Sequence, residues 1–200
     1  MSFVRANIRR IVTEDVSPRV TQNDVIFEAI TNAIQADATE IICTVNSKDN
    51  PLGESDEALV DKRVDTITIT DNGVGFCPDR YDAFCEYRSE KNKDLGCKGV
   101  GRLIFLKVFD KINVISRIKA DGEVRSFDFS LDFDPAKVKS QKETIAENST
   151  EISFSGVTAL YHDKSRELDR RIKLDISSIR EKVYLHLLPT LFSLRSVGVK

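Results

Sequence analysis

The apolar pattern predicts an α+β fold with two layers, a mixed and mostly antiparallel sheet covered on one face by helices. Three observations carry this. Helical spacing clusters early, at residues 22–36, 80–87 and 102–109; most alternating stretches come later; and the 200 residues suit one domain with a sizeable core. The charges nearly cancel, 30 basic against 32 acidic, so no global field recommends nucleic acid as a partner. Cys43, Cys77, Cys85 and Cys97 form no CxxC pair, so neither a zinc knuckle nor a disulfide framework is signalled, and reduced thiols in a cytoplasmic protein are expected. The first residues lack the apolar core of a signal peptide, and no run approaches a membrane span.

In chain order, residues 1–20 mix arginines with Val4, Ile8, Ile11 and Val12 and break at Ser17-Pro18, reading as an arm or strap. Val25, Ile26, Ala29, Ile30, Ala33 and Ile34 then fall at helical spacing, with Thr21 or Asn23 as N-cap. On this helix Glu28 and Asn32 stand four apart and share a face, with Gln35 three further on. A carboxylate beside a carboxamide at the margin of an apolar stripe suits a hydrated metal ion and a water, although a solvated helix face has the same pattern.

Ile41-Ile-Cys-Thr-Val45 reads as a strand and residues 46–63 as a polar loop. Val64-Asp-Thr-Ile-Thr-Ile-Thr70 alternates, so it predicts a strand buried on one face. It runs into Asp71-Asn-Gly-Val-Gly75, where a hairpin turn competes with a loop that lets a flat ligand approach the backbone. After the aromatic segment holding Tyr81, Phe84 and Tyr87, Gly96-Cys-Lys-Gly-Val-Gly101 opens the helix-like Leu103–Phe109. Bare N–H groups at a helix start form an anion site. The spacing fits neither a Walker loop nor a dinucleotide fingerprint.

Lys111–Ser116, Val124–Phe133, Thr150–Gly156 and Val157–Tyr161 are strand candidates, with a charged stretch over 135–148. From Ser177 the spacing is helical until Pro189, and residues 166–200 form a helical segment that could begin a following domain. His162 and His186 have no recognisable catalytic or metal partner in sequence, which leaves them packing or surface roles. The cysteines near the glycine motifs read as small apolar fillers.

Three signals therefore stand in fixed order: Glu28 and Asn32 on a helix, Asp71-x-Gly-x-Gly75 at a strand end, and Gly96-x-x-Gly-x-Gly101 opening a helix. Together they resemble the GHKL ATPases, which unite DNA gyrase, heat-shock-ninety chaperones, histidine kinases and MutL proteins on the Bergerat fold. The resemblance implies an ATP-binding domain over residues 21–165. In it Glu28 activates the attacking water, Asn32 holds Mg2+, and Asp71 accepts the adenine amino group. Gly73 and Gly75 give the base and ribose room, and Thr150 supports Asp71. Gly96, Lys98, Gly99, Val100 and Gly101 lie around the phosphates, with 88–98 part of a lid. It further implies slow hydrolysis of ATP, lid closure and a homodimer formed through the arm and the lid. Gln35 departs from the aspartate of many members, and Asp37-Ala-Thr39 stands where a glycine is frequent. A protein kinase on the same fold and a non-hydrolysing nucleotide sensor are the competing readings. Glu28, which histidine kinases usually lack, and the long glycine-opened helix favour the ATPase.

Overall fold

The computed structural model describes residues 8–48, 63–86, 101–158 and 176–196. Among these residues six strands form one sheet in the order β1-β2-β6-β3-β4-β5. They are β1 (Ile41–Lys48), β2 (Arg63–Asp71), β3 (Phe109–Ile118), β4 (Glu123–Asp128), β5 (Lys139–Lys142) and β6 (Ser149–Val157), and every pairing between them is antiparallel. Alternation sorts the faces. Ile67, Ile69, Ile112, Val114, Ile152 and Phe154 point into the core. Their neighbours Thr66, Thr68 and Ser153 are half-buried on the other side, where the Thr68 and Ser153 hydroxyls bond at 3.1 Å.

The helices are α1 (Ile8–Arg10), which runs into a π-helical turn (Ile11–Asp15), α2 (Gln22–Gln35), α3 (Pro78–Cys85), α4 (Leu103–Val108) and α5 (Ile176–Ser196). Helix α2 starts at Thr21, whose hydroxyl accepts the Asp24 N–H while the Asp24 carboxylate accepts the Thr21 N–H at 2.7 Å. This reciprocal cap satisfies two of the donors that a helix start leaves open. Its stripe of Val25, Ile26, Ala29 and Ile30 is buried together with Leu103, Phe105, Leu106 and Val108 of α4. Removing that much aliphatic surface from water is the main force holding the helical layer to the sheet.

At the far end of α2 the N–H groups of Asp37 and Ala38 return to the Ile34 and Ala33 carbonyls at 3.0 and 3.1 Å, with Asp37 at φ 60°. Aspartate thus fills the left-handed position that ends many helices in glycine. Asn72 secures the next turn: its Oδ1 accepts the Thr39 and Glu40 N–H groups at 2.9 and 3.0 Å, and its Nδ2 donates to the Thr39 hydroxyl at 2.9 Å.

From Ile8 onward the strap lies on the body of the protein. Val12 is buried, and Nζ of the buried Lys107 donates to the Val12 and Thr13 carbonyls at 2.7 and 3.1 Å. An ammonium out of water needs such acceptors.

Several element boundaries differ from the sequence expectation. The strand expected over Val124–Phe133 ends at Asp128, and Phe129, in phase with the buried Phe127, joins Phe84 and Phe133 in an aromatic cluster. The charged stretch holds a 3-10 turn (Pro135–Lys137) and the edge strand β5, which is exposed throughout and so shows no apolar period. Helix α5 continues through Pro189 to Ser196. The carbonyl that loses its donor there belongs to the exposed Leu185, where water can replace the bond. Helix α5 packs on α2 through Ile179 and Leu187, and the ring of His186 stacks on Phe27 at 4.3 Å. His186 is thus a packing group, whereas His162 lies outside the described residues.

Candidate functional site

At one end of the site, strand β2 closes on Asp71, a carboxylate only 7% exposed. Its Oδ1 accepts the Gly73 N–H at 2.8 Å. Burial raises its pKa above the ordinary value, while the Gly73 N–H and the charge of Arg80 pull the other way. The sheet register sets Asp71 opposite Thr150 of β6, and Thr150 opposite Ser116 of β3. Thr150 and Ser116 are both buried, with their hydroxyl oxygens 3.2 Å apart, and the Ser116 oxygen accepts the Phe76 N–H at 2.9 Å. Three adjacent strands therefore present one polar row inside an otherwise apolar face.

The loop after Asp71 is sewn to helix α2. Val74 N–H donates to the Ala36 carbonyl at 2.9 Å, and a Cβ on Gly73 would stand 2.6 Å from that same oxygen. Gly75 has φ 71°, and a Cβ there would come within 2.5 Å of Ser116 Oγ. Both glycines thus serve close approaches within the chain, in addition to the room for a ligand expected of them. Arg80 of α3 donates to the Gln35 carbonyl at 2.6 Å and pairs with Asp37 at 3.6 Å, so the backbone at Gln35 is held.

At the other end, Glu28 and Asn32 share the half-buried margin of α2, and the Asn32 side chain donates to the Glu28 carboxylate. With its amide N–H committed in this way, the Asn32 oxygen is left as an available ligand. A Cβ added to Gly101 would overlap the Glu28 carboxylate, so the start of α4 reaches this acid because residue 101 is glycine. Burial raises the pKa of Glu28, and Asn32 and the nearby Arg102 oppose the rise. Arg102 also donates to the Glu86 carbonyl at 2.8 Å and lies over the Phe84 ring at 5.2 Å.

The structure thus brings together Glu28, Asn32 and Gly101 at one end and Asp71, Gly73, Gly75 and Thr150 at the other. Gly96, Lys98, Gly99, Val100 and the lid expected at 88–98 lie outside the described residues. Sequence reasoning missed Ser116, Arg80 and the field of Arg102 on Glu28. The signal for Ser116 was present: it lies in phase with the buried Ile112 and Val114, a polar residue on an apolar face.

The sequence over residues 20–165 matches the family of histidine kinase-, DNA gyrase B- and HSP90-like ATPases. The chain belongs to that family. The resemblance drawn from the three ordered motifs and the α+β architecture both agree with it. No curated protein matches the chain. Among solved structures it is similar to the ATPase domain of MutL from Aquifex aeolicus, complexed with ADP, at 16% identity and a TM-score of 0.44. That match covers 84% of this chain and 53% of the other, so the chain spans about half the length of that protein.

For this ATPase-family domain, magnesium is the implied ion. Among the described residues no three His, Cys, Asp or Glu side chains gather as a cage. One carboxamide oxygen beside a carboxylate is the donor set that magnesium accepts when phosphates and waters complete its shell, so these residues fit it. No described helix is long and apolar enough to cross a membrane.

Proposed function

We propose that this domain binds ATP with magnesium and hydrolyses it slowly. The observation that carries this is the meeting of Glu28 with Gly101, which sets a half-buried carboxylate against the start of a helix at one end of the site. Asp71, at the other end, accepts the amino group of the base, and Thr150 stands beside it on the next strand. Asn32 offers its oxygen to magnesium, which when bound supplies positive charge against that of the phosphates.

Hydrolysis then needs a base. Glu28, ionised, takes a proton from the attacking water. Its raised pKa makes it a stronger base near neutral pH than an exposed glutamate, and the field of Arg102 keeps it ionised there. Asn32 holds the carboxylate in one orientation. The N–H groups at the start of α4, with Gly96, Lys98, Gly99 and Val100 before it, receive the phosphates.

Lid closure over the nucleotide and pairing of two copies through the arm extend this reading. Lys107 supplies a physical link for them, since it joins the strap to the helix that follows Gly101. Residues 21–165 form the ATP-binding domain on this reading, with an arm before it and a helical segment after it. The cytoplasm is its proposed setting, on the thiols that form no pairing pattern.

Phosphate release by the purified chain with ATP and magnesium tests hydrolysis, and calorimetry with a non-hydrolysable ATP analogue tests binding. Asp71→Asn should weaken that binding by roughly 10- to 100-fold, because an amide can turn a donor toward the amino group. Unchanged affinity in Asp71→Asn would remove the base from this end of the site.

A further inference from the structure

We propose that Ser116 is a positioning residue that fixes the direction of the Thr150 proton, and thereby makes the base pocket selective for a purine with an acceptor at ring nitrogen 1. The inference rests on the nucleotide reading above and adds to it the residue that sets base specificity.

The argument is an account of protons. A serine hydroxyl has one proton and two lone pairs. Ser116 Oγ spends one lone pair on the Phe76 N–H at 2.9 Å. The side chain is fully buried, and among the described residues the one other polar group bonded to it is the Thr150 hydroxyl at 3.2 Å. Were Thr150 the donor, the fully buried Ser116 proton would have no acceptor, a cost that folded proteins avoid. Thr150, by contrast, keeps 5% of its surface open and neighbours Asp71, so a water or a ligand on that side can take its proton. Ser116 therefore donates and Thr150 accepts. The remaining proton of Thr150 is directed away from Ser116, on the side where the register places Asp71.

The relay is held from the loop side too. Gly75, at φ 71°, has no Cβ to push Ser116 away, and a Cβ there would stand 2.5 Å from the serine oxygen and 3.4 Å from the threonine oxygen. A backbone N–H cannot reverse its polarity, so the chain from Phe76 to Ser116 to Thr150 runs one way. The pocket wall then offers an acceptor at Asp71 beside a donor at Thr150, reached directly or through a water.

Adenine carries the complement, an amino donor at position 6 beside an acceptor at nitrogen 1. Hypoxanthine and guanine carry a carbonyl and an N–H at these positions, so in the same pose both contacts are reversed. A site whose buried groups are left unpaired rejects a ligand more strongly than one that loses a contact of shape.

The test compares binding of ATP, 1-deaza-ATP and inosine triphosphate, each with magnesium, to the full chain by calorimetry. The wild type should prefer ATP to 1-deaza-ATP by roughly tenfold, one hydrogen bond's worth. In Ser116→Ala the Thr150 hydroxyl is free to turn. That preference should fall to about two- to threefold, and the penalty on inosine triphosphate should shrink. In Thr150→Val the preference for ATP over 1-deaza-ATP should vanish, and adding Ser116→Ala should change it no further, as expected for residues acting in series. Ser116→Cys, close in shape with a feeble donor, gives the same reading should Ser116→Ala fail to fold. A wild-type ratio retained in folded Ser116→Ala or Ser116→Cys overturns the relay, as does an equal effect of Ser116→Ala with and without Thr150. A wild type that binds no ATP is a different result, and overturns the nucleotide reading itself.

Discussion

The two ends of the site are built by different means. At the proposed base end, Asp71, Thr150 and Ser116 stand on three neighbouring strands whose ladders fix them from both sides, and a loop N–H and a glycine complete the row. At the proposed phosphate end, Glu28 stands on one helix and meets another across a single glycine, steered by one carboxamide and the charge of Arg102. A sheet row tolerates little displacement, because moving one hydroxyl breaks its neighbour's bond. Two helices in contact can shift by small amounts without breaking any backbone bond. On the proposed reading, recognition rests on the part that cannot move and chemistry on the part whose proton affinity can be tuned.

The largest expected effect separates the two ends at Glu28. Glu28→Gln keeps the shape and removes the base, so phosphate release should fall by roughly 10²- to 10⁴-fold. Affinity for the ATP analogue, followed by calorimetry, should stay within about threefold, since the lost group acts on the water. Equal losses in turnover and binding would merge the two ends into one.

A paired glycine exchange sharpens the comparison. In Gly101→Ala the new methyl meets the far end of a flexible side chain, so the carboxylate swings aside. Turnover should drop by about 10- to 100-fold, while stability in urea changes by less than ~1 kcal/mol. In Gly75→Ala the methyl meets Ser116 in a loop backed by the sheet, at a φ that alanine disfavours. Here a stability loss of about 1–3 kcal/mol should appear, with ATP binding weakened alongside. The reverse ranking in urea unfolding would show that the helix contact is the stiffer one.

The smallest effect concerns pH. Burial raises the pKa of Glu28 above its ordinary 4.5, so the folded state holds that proton more tightly than the unfolded state. Stability from this group is then fully present below 4.5 and is lost as pH rises through the folded value. Glu28→Gln should accordingly melt at a higher temperature than wild type at neutral pH, and the gain should fade in acid. A gain that persists in acid would assign the effect to packing.

Much of the site was legible as local pattern. Helix α2 announced itself by its apolar spacing, and its cap was among the two candidates named. Asp71 followed from an alternating strand that stops at a carboxylate and two glycines. Ser116 was visible as a hydroxyl in phase with Ile112 and Val114, but its partner is 34 positions away on another strand, and no local rule pairs them. Gly75 was read as space for a ligand, and its contact with Ser116 depends on β3 lying under the loop. The edge strand β5 escaped notice because an exposed strand of Lys, Ser and Gln has no period to read. Pro189 misled for the opposite reason: its local cost is real, yet the exposed turn around it lets water absorb that cost.

Residue spacing alone determined which elements form and which side chains share a face, because helix and strand periods are properties of the local backbone. The tertiary structure decided which of those faces meet. It set Glu28 against Gly101, laid Asp71, Thr150 and Ser116 in one row, and lifted the proton affinity of both carboxylates. Register between distant strands and removal of water have no local code, since each depends on every other element being in place.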